Sequence, residues 1–191
     1  MGIFLDENFK ESVKGKYCQL DNDFLGALFS DNFLFLAMKD LLNDYPFVYD
    51  NLTSFEFFRD IFVPNQIELR EKFLSKDIFF PLTDHQEIYT KTQTNALILS
   101  KIYAQNDSKL KIKNTASFVD IYMASRLMSL GSKYLLITGN KKDFPSYIFD
   151  TKGIIVNEEA NGFMRNYSLL AFNPDKFDKC FEELGRVGNN A

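Results

Sequence analysis

Four acidic residues, spread over most of the chain, fall where a strand or helix is predicted to end or begin. They are Asp21 in Cys18-Gln19-Leu20-Asp21-Asn22-Asp23, Glu56 in Ser54-Phe55-Glu56-Phe57, Asp120 in Phe118-Val119-Asp120-Ile121, and Asp143 in Thr138-Gly139-Asn140-Lys141-Lys142-Asp143-Phe144. Carboxylates at element ends around an apolar framework point to a pocket for a hard divalent cation. Two carboxylates about 4 Å apart repel by roughly 4 kcal/mol at an effective dielectric near 20. Mg²⁺ or Mn²⁺ removes that penalty, prefers oxygen ligands and keeps part of its water shell. An oxygen-only donor set argues against zinc or copper.

Each acid also has a plain structural reading. Glu56 follows Thr53 by three residues and Asp120 follows Ser117 by three, the capping-box spacing in which the acid bonds back to the cap residue. Asp21 and Asp23 suit an Asx turn or a helix N-cap, and Asp143 suits a turn. At helical spacing Asp120 shares a face with Ala124 and Leu127, which puts it at the border of a buried surface. An acid there needs a partner, and Lys141, Lys142 or a metal would serve.

The elements that must position these groups follow from the rest of the sequence. A chain of 191 residues is most simply one domain, large enough to bury about 70% of its unfolded surface. With 21 Phe and no Trp, phenylalanine is expected to fill much of the core. Tyr17–Leu20, Pro46–Tyr49, Asp77–Phe80 and Tyr134–Ile137 read as strands. Helices are expected over 24–29, 33–42, 53–62, 65–74, 83–105 and 117–130. In the long helix, Ile88, Thr92, Ala96, Leu99 and Tyr103 mark one face, and Gly131 suits a C-terminal cap. After Phe144 the pattern changes to short strands at 146–149, 153–156 and 167–172, then a helix opened by Asn173-Pro174. The alternation predicts a three-layer α/β/α sandwich with a mostly parallel sheet, a core of about 17–144, a C-terminal α/β extension of about 145–184 and a frayed tail over 185–191. Ligands of such sheets bind beyond the carboxyl ends of the strands, where Asp21, Asn140 and Asp143 fall.

Composition narrows the function classes. No apolar stretch reaches membrane-spanning length, and the N-terminus carries acids where a signal peptide would carry basic residues. Cys18 and Cys180 are the only cysteines, which excludes a zinc ribbon and fits a reducing cytoplasm. The net charge of −4 leaves no broad basic face for nucleic acid. Any such contact must be local, as in an enzyme that cuts and releases.

With these residues in place the chain resembles a PIN domain, the fold of metal-dependent endoribonucleases and flap-nuclease relatives. The resemblance covers about Tyr17 to Phe144. Asp21-Asn22-Asp23-Phe24-Leu25 is similar to the first family motif, Glu56 to its helical acid, and Asp120-Ile121-Tyr122-Met123-Ala124 with Gly131 to its third. Thr138-Gly139-Asn140-Lys141-Lys142-Asp143-Phe144 matches the last motif, Thr-x-Asn-x-x-Asp-Phe, at every fixed position. Asn22 stands where the family has a small hydroxyl residue, and Asp23 where it has Asn or Ser.

The resemblance implies Mg²⁺- or Mn²⁺-dependent hydrolysis of RNA, with Asp21, Glu56, Asp120 and Asp143 holding the metal. Asp23, Thr138 and Asn140 would support the site, and Lys141, Lys142 and Arg126 are candidate phosphate contacts. RNA is the expected transient partner. A homodimer is compatible with the sequence, and an antitoxin-type partner is not implied. Two rivals stand beside this reading. One is a non-catalytic PIN-fold module that binds RNA or protein. The other is a haloacid-dehalogenase-type phosphatase with Asp21 as nucleophile, although Leu25 occupies the place where that family has Thr or Val.

Overall fold

The computed structural model describes residues 2–41, 46–83, 85–110, 116–159 and 161–188, with the side chains of 107–110 and 185–188 outside the description. The residues divide into two compact units that interleave in sequence: Met1–Thr83, Lys133–Asn140 and Thr151–Leu170 form the first, and Asp84–Ser132, Lys141–Asp150 and Ala171–Ala191 the second.

The first unit is built on a seven-stranded sheet, counted among the described residues. Its strands are β1 (Gly2–Leu5), β2 (Tyr17–Leu20), β3 (Phe47–Tyr49), β4 (Phe79–Pro81), β5 (Tyr134–Thr138), β6 (Phe149–Glu158) and β7 (Met164–Phe172), in the order β1-β6-β7-β5-β2-β3-β4. The four neighbours β5, β2, β3 and β4 are parallel, with Leu20 opposite Ile137 and Val48 opposite Phe80. β7 runs antiparallel beside β5, and β1 antiparallel beside β6. The expected α/β class therefore holds, with a mixed sheet whose parallel part is the predicted one. In that part the chain steps from β2 to β3 on one side, while β5 lies on the other. The paired carboxyl ends of β2 and β5 are thus the switch point where such sheets bind ligands.

The helices of this unit are α1 (Glu7–Val13), α2 (Asn22–Ser30), α3 (Asn32–Leu41), α4 (Asn51–Arg59) and α5 (Pro64–Leu74). Phenylalanine fills the core as composition demanded. The Phe47 and Phe79 rings stack at 5.8 Å, Phe73 meets Phe79 at 4.9 Å, and Phe29 meets Phe57 edge-on at 5.6 Å.

The second unit holds α6 (Gln86–Leu110), α7 (Phe118–Leu130), a 3₁₀ turn at Lys141–Asp143 and α8 (Pro174–Gly188). α6 packs along α7 and α8, burying Thr92, Leu99 and Tyr103 of the predicted face. α7 ends at Gly131, whose φ of 77° is the left-handed conformation glycine tolerates. α8 opens as predicted, with Asn173 Oδ1 accepting from the Lys176 amide at 3.1 Å.

Several boundaries differ from expectation for identifiable reasons. β1 and α1 carry no strong pattern and form because β6 pairs with β1. The strand expected at 146–149 is a turn over 146–148, while β6 starts at Phe149 and runs unbroken through the expected turn at 150–153 to Glu158. A Cβ at Gly153 would stand 2.7 Å from Phe9 Cα, so this glycine marks a close approach rather than a turn. α5 starts at Pro64 after Val63, with no side-chain cap, instead of using Asn65. α6 runs on to Leu110, past the expected loop start at Asn106. Asp84 of the long helix expected over 83–105, Leu42 and residues 111–114 of the expected loop lie outside the described residues.

Candidate active site at the exit of strand β2

Asp21 is the first residue beyond β2. Its amide donates to the Ile137 carbonyl at 3.0 Å, continuing the parallel ladder with β5, and its carbonyl accepts from the Leu25 amide at 2.9 Å to begin α2. The side chain is 7% exposed. Its Oδ1 accepts from the Asn22 amide at 2.7 Å, and its Oδ2 accepts from the Thr138 hydroxyl at 2.6 Å. The Thr138 oxygen in turn accepts from the Asn140 amide at 2.9 Å, so donors line up in series and reinforce one another. A carboxylate at a helix N-terminus is further favoured by the helix dipole. The cap role therefore falls on a residue that the sequence also singles out as a candidate ligand.

Asp23 extends this arrangement. Its Oδ2 accepts from the Gly139 amide at 2.8 Å. A Cβ at residue 139 would lie 2.5 Å from that oxygen and 3.3 Å from the Tyr167 ring, so only glycine lets the β5 exit come this close. The residue at which the chain departs from the family pattern thus latches the β5 loop to α2.

Glu56 lies in the middle of α4, not at the helix start that the Thr53 spacing predicted. The cap is Asp50, which sequence reading missed. Asp50 is 1% exposed; its Oδ1 accepts from the Thr53 amide at 2.7 Å and its Oδ2 from Gln19 Nε2 at 3.2 Å. The Thr53 hydroxyl then donates to the Leu20 carbonyl at 3.2 Å. This buried network fixes the start of α4 to the last residue of β2. Two turns into α4, Glu56 is half-buried, with Arg59 Nη1 3.8 Å from its Oε1.

Asp120 and Asp143 belong to the second unit. Asp120 forms the predicted capping box: its amide donates to Ser117 Oγ at 3.2 Å, and its Oδ2 accepts from the Ser117 amide at 2.7 Å. Asp143 is buried on the 3₁₀ turn, where its carbonyl accepts from the Tyr103 hydroxyl at 3.3 Å. Lys141 and Lys142 are exposed on the same turn. Arg126 is 2% exposed within α7, which places it in the interior rather than on a phosphate-binding surface. Among the described residues, no group of three or more His, Cys, Asp or Glu is gathered so as to hold a metal ion.

Beside the β2 exit the first unit opens a cleft of about 830 Å³, within the range of small-ligand sites. Five acids line it: Asp23, Asp31, Glu56, Asp60 and Glu159. Against them stand Arg70 and Arg165, so the lining carries an acidic excess. Neither arginine is a loose cation. Arg165 Nε lies 2.5 Å from Glu159 Oε1. Arg70 donates to the Phe57 carbonyl and sits 4.5 Å from the Phe57 ring centroid, with burial lowering its pKa against the opposing pull of Asp60. Tyr167 also lines the cleft; it is 3% exposed, and its hydroxyl lies beside Arg165 without a well-aligned hydrogen bond among the described residues. Burial raises the pKa of that hydroxyl, with Asp23 adding to the rise and Arg165 opposing it. No family model, no curated protein and no solved structure matches the chain.

Proposed function

We propose that the chain is a Mg²⁺- or Mn²⁺-dependent ribonuclease of PIN-like, three-layer architecture, acting at the exit of β2. One observation carries this reading: Asp21 stands at the switch point of the sheet with its Oδ2 held by the Thr138 hydroxyl at 2.6 Å. This joins the first and the last of the four motifs that carry the PIN resemblance. Asp21, Asp23 and Thr138 support the reading from within one unit; Asp120 and Asp143 enter it only through the resemblance.

The donor chemistry fits a hard cation. The Asp21 carboxylate accepts from the Asn22 amide and the Thr138 hydroxyl, a carboxylate has about four lone-pair sites, and Mg²⁺ is commonly held by one or two carboxylates plus waters and substrate phosphates. Asp21 would be the principal ligand, with Glu56 the second acid on the same unit. When bound, the metal supplies an activated water and neutralises charge on the scissile phosphate. Thr138 and Asn140 keep the Asp21 carboxylate in one orientation, and Asp23 with Gly139 keeps the β5 loop against it.

A second reading is a PIN-fold module that binds RNA without cutting it, favoured by the absence of a preassembled metal cluster among the described residues. A phosphatase nucleophile fits less well, because Leu25 occupies the place where that chemistry has Thr or Val. No helix among the described residues is long and apolar enough to cross a membrane, and a cytoplasmic site of action accompanies the proposal. Purified protein incubated with single-stranded RNA and Mn²⁺ should cleave it, stop with EDTA and resume when Mn²⁺ is restored. Binding without cleavage under these conditions would favour the second reading, and phosphate release from a small monoester with RNA intact would favour the phosphatase.

A further inference from the structure

We infer that the cleft beside the β2 exit is a pocket for one unpaired nucleobase bearing an exocyclic amino group, stacked on Phe33 and read at its edge by Tyr167 and the Glu159–Arg165 pair. The inference deepens the ribonuclease reading and rests on it for the identity of the ligand as RNA.

Three independent features of the cleft converge on such a ligand. The first is an aromatic platform. Phe33 lines the cleft and is 51% exposed, so its ring is open to a ligand that enters. Its backbone is held in place: Asp31 Oδ1 accepts from the Phe33 amide at 2.9 Å while Asp31 Oδ2 accepts from Asn157 Nδ2 at 3.1 Å. This clamp ties the start of α3 to β6, two residues before Glu159. Base–aromatic stacking uses such an open ring and is indifferent to sequence.

The second feature is the Tyr167 hydroxyl, buried at the wall of the cleft beside Arg165 with no well-aligned hydrogen bond. A buried hydroxyl left short of a good bond is costly. As a neutral phenol it offers both a donor and an acceptor to whatever enters.

The third is charge. The acidic excess of the lining repels phosphate and accepts from N–H groups. Amino-bearing bases present an NH₂ to such acceptors, and an acid accepting from cytosine N4 is an established base contact. The Glu159–Arg165 pair places an acceptor beside a donor, the complement of a base edge that carries both. Uracil has a single N–H and no amino group, so it satisfies this wall least.

Binding of fluorescently labelled hexanucleotides of A, C or U, measured by anisotropy in EDTA at physiological salt, tests the inference without cleavage. Hexa-A and hexa-C should bind about tenfold or more tightly than hexa-U. Phe33→Ala, at an exposed position, should weaken hexa-A binding by about tenfold and leave the melting temperature unchanged. Tyr167→Phe should narrow the preference over hexa-U while its melting curve shows the variant folded. Equal binding of all three oligonucleotides, or no binding of any, overturns the inference. So does retention of wild-type binding in both variants, or full displacement of hexa-A by low concentrations of spermidine, which would mark an organic-cation site. Metal-dependent cleavage with no base preference would sink the pocket and leave the ribonuclease standing. Base-selective binding with no cleavage in Mn²⁺ would do the reverse.

Discussion

The Thr138 hydroxyl donates to Asp21 Oδ2 at 2.6 Å, tying the last residue of β5 to the first residue beyond β2. Thr138→Val keeps the shape and removes the donor, leaving one oxygen of a buried carboxylate without that bond. A stability cost of about 1–3 kcal/mol is expected, with a loss of metal-dependent RNA cleavage of about 10- to 100-fold, as for other groups that orient a metal ligand. Thr138→Ser should recover most of both. Denaturant melts and cleavage rates on the three proteins check this.

Two glycines should respond differently to the same change. At residue 139 a Cβ meets the Asp23 carboxylate, a side chain that can turn away. Gly139→Ala is therefore expected to cost little stability but to break the latch on the β5 loop and lower cleavage. At residue 153 the Cβ meets Phe9 backbone, which cannot turn away, so Gly153→Ala should destabilise by about 1–3 kcal/mol. Thermal melts paired with cleavage rates separate the two.

Asp50→Ala removes the cap of α4 and leaves the Thr53 amide and Gln19 Nε2 without their buried acceptor. A destabilisation of roughly 3 kcal/mol is expected from the lost cap together with the stranded donors. Urea unfolding should show it as a lower midpoint at an unchanged slope.

Burial pushes the Cys18 thiol up to about 12. It should resist a thiol reagent at pH 8 in the native protein and react once the chain is unfolded. Because the folded state holds this proton more tightly, the unfolded chain ionises first as pH rises past the ordinary thiol range. The contribution is fully present below about pH 9 and is lost toward pH 12. Cys18→Ala should show a shallower loss of stability over that interval when both proteins are unfolded by urea at pH 7 and pH 10.

Much of this arrangement was legible in the residues. The strand ending at Asp21, the buried Tyr134–Ile137 strand and the Asp120 capping box all rest on local spacing, and local spacing suffices for them. Asp50 was within reach, since it precedes Thr53 by three residues, but the Thr53–Glu56 pair offered an equally regular spacing and drew the helix start away. β1, α1 and the unbroken β6 were not legible, because their cause is a pairing between residues some 150 positions apart. The same holds for Gly153, whose neighbour Phe9 is set by that pairing. The division of the four acids between two units has no signature in composition or period.

The most direct measurement is single-turnover cleavage of a labelled single-stranded RNA by the wild-type chain and by Asp21→Asn, titrated with Mn²⁺. Asn keeps the shape of Asp21 and removes its charge. Metal-dependent cleavage by the wild type, falling by at least about 100-fold in Asp21→Asn while the melting temperature shows the variant folded, is the result expected. Equal cleavage by the two proteins, or cleavage that survives EDTA, would contradict a metal-dependent site at the exit of β2.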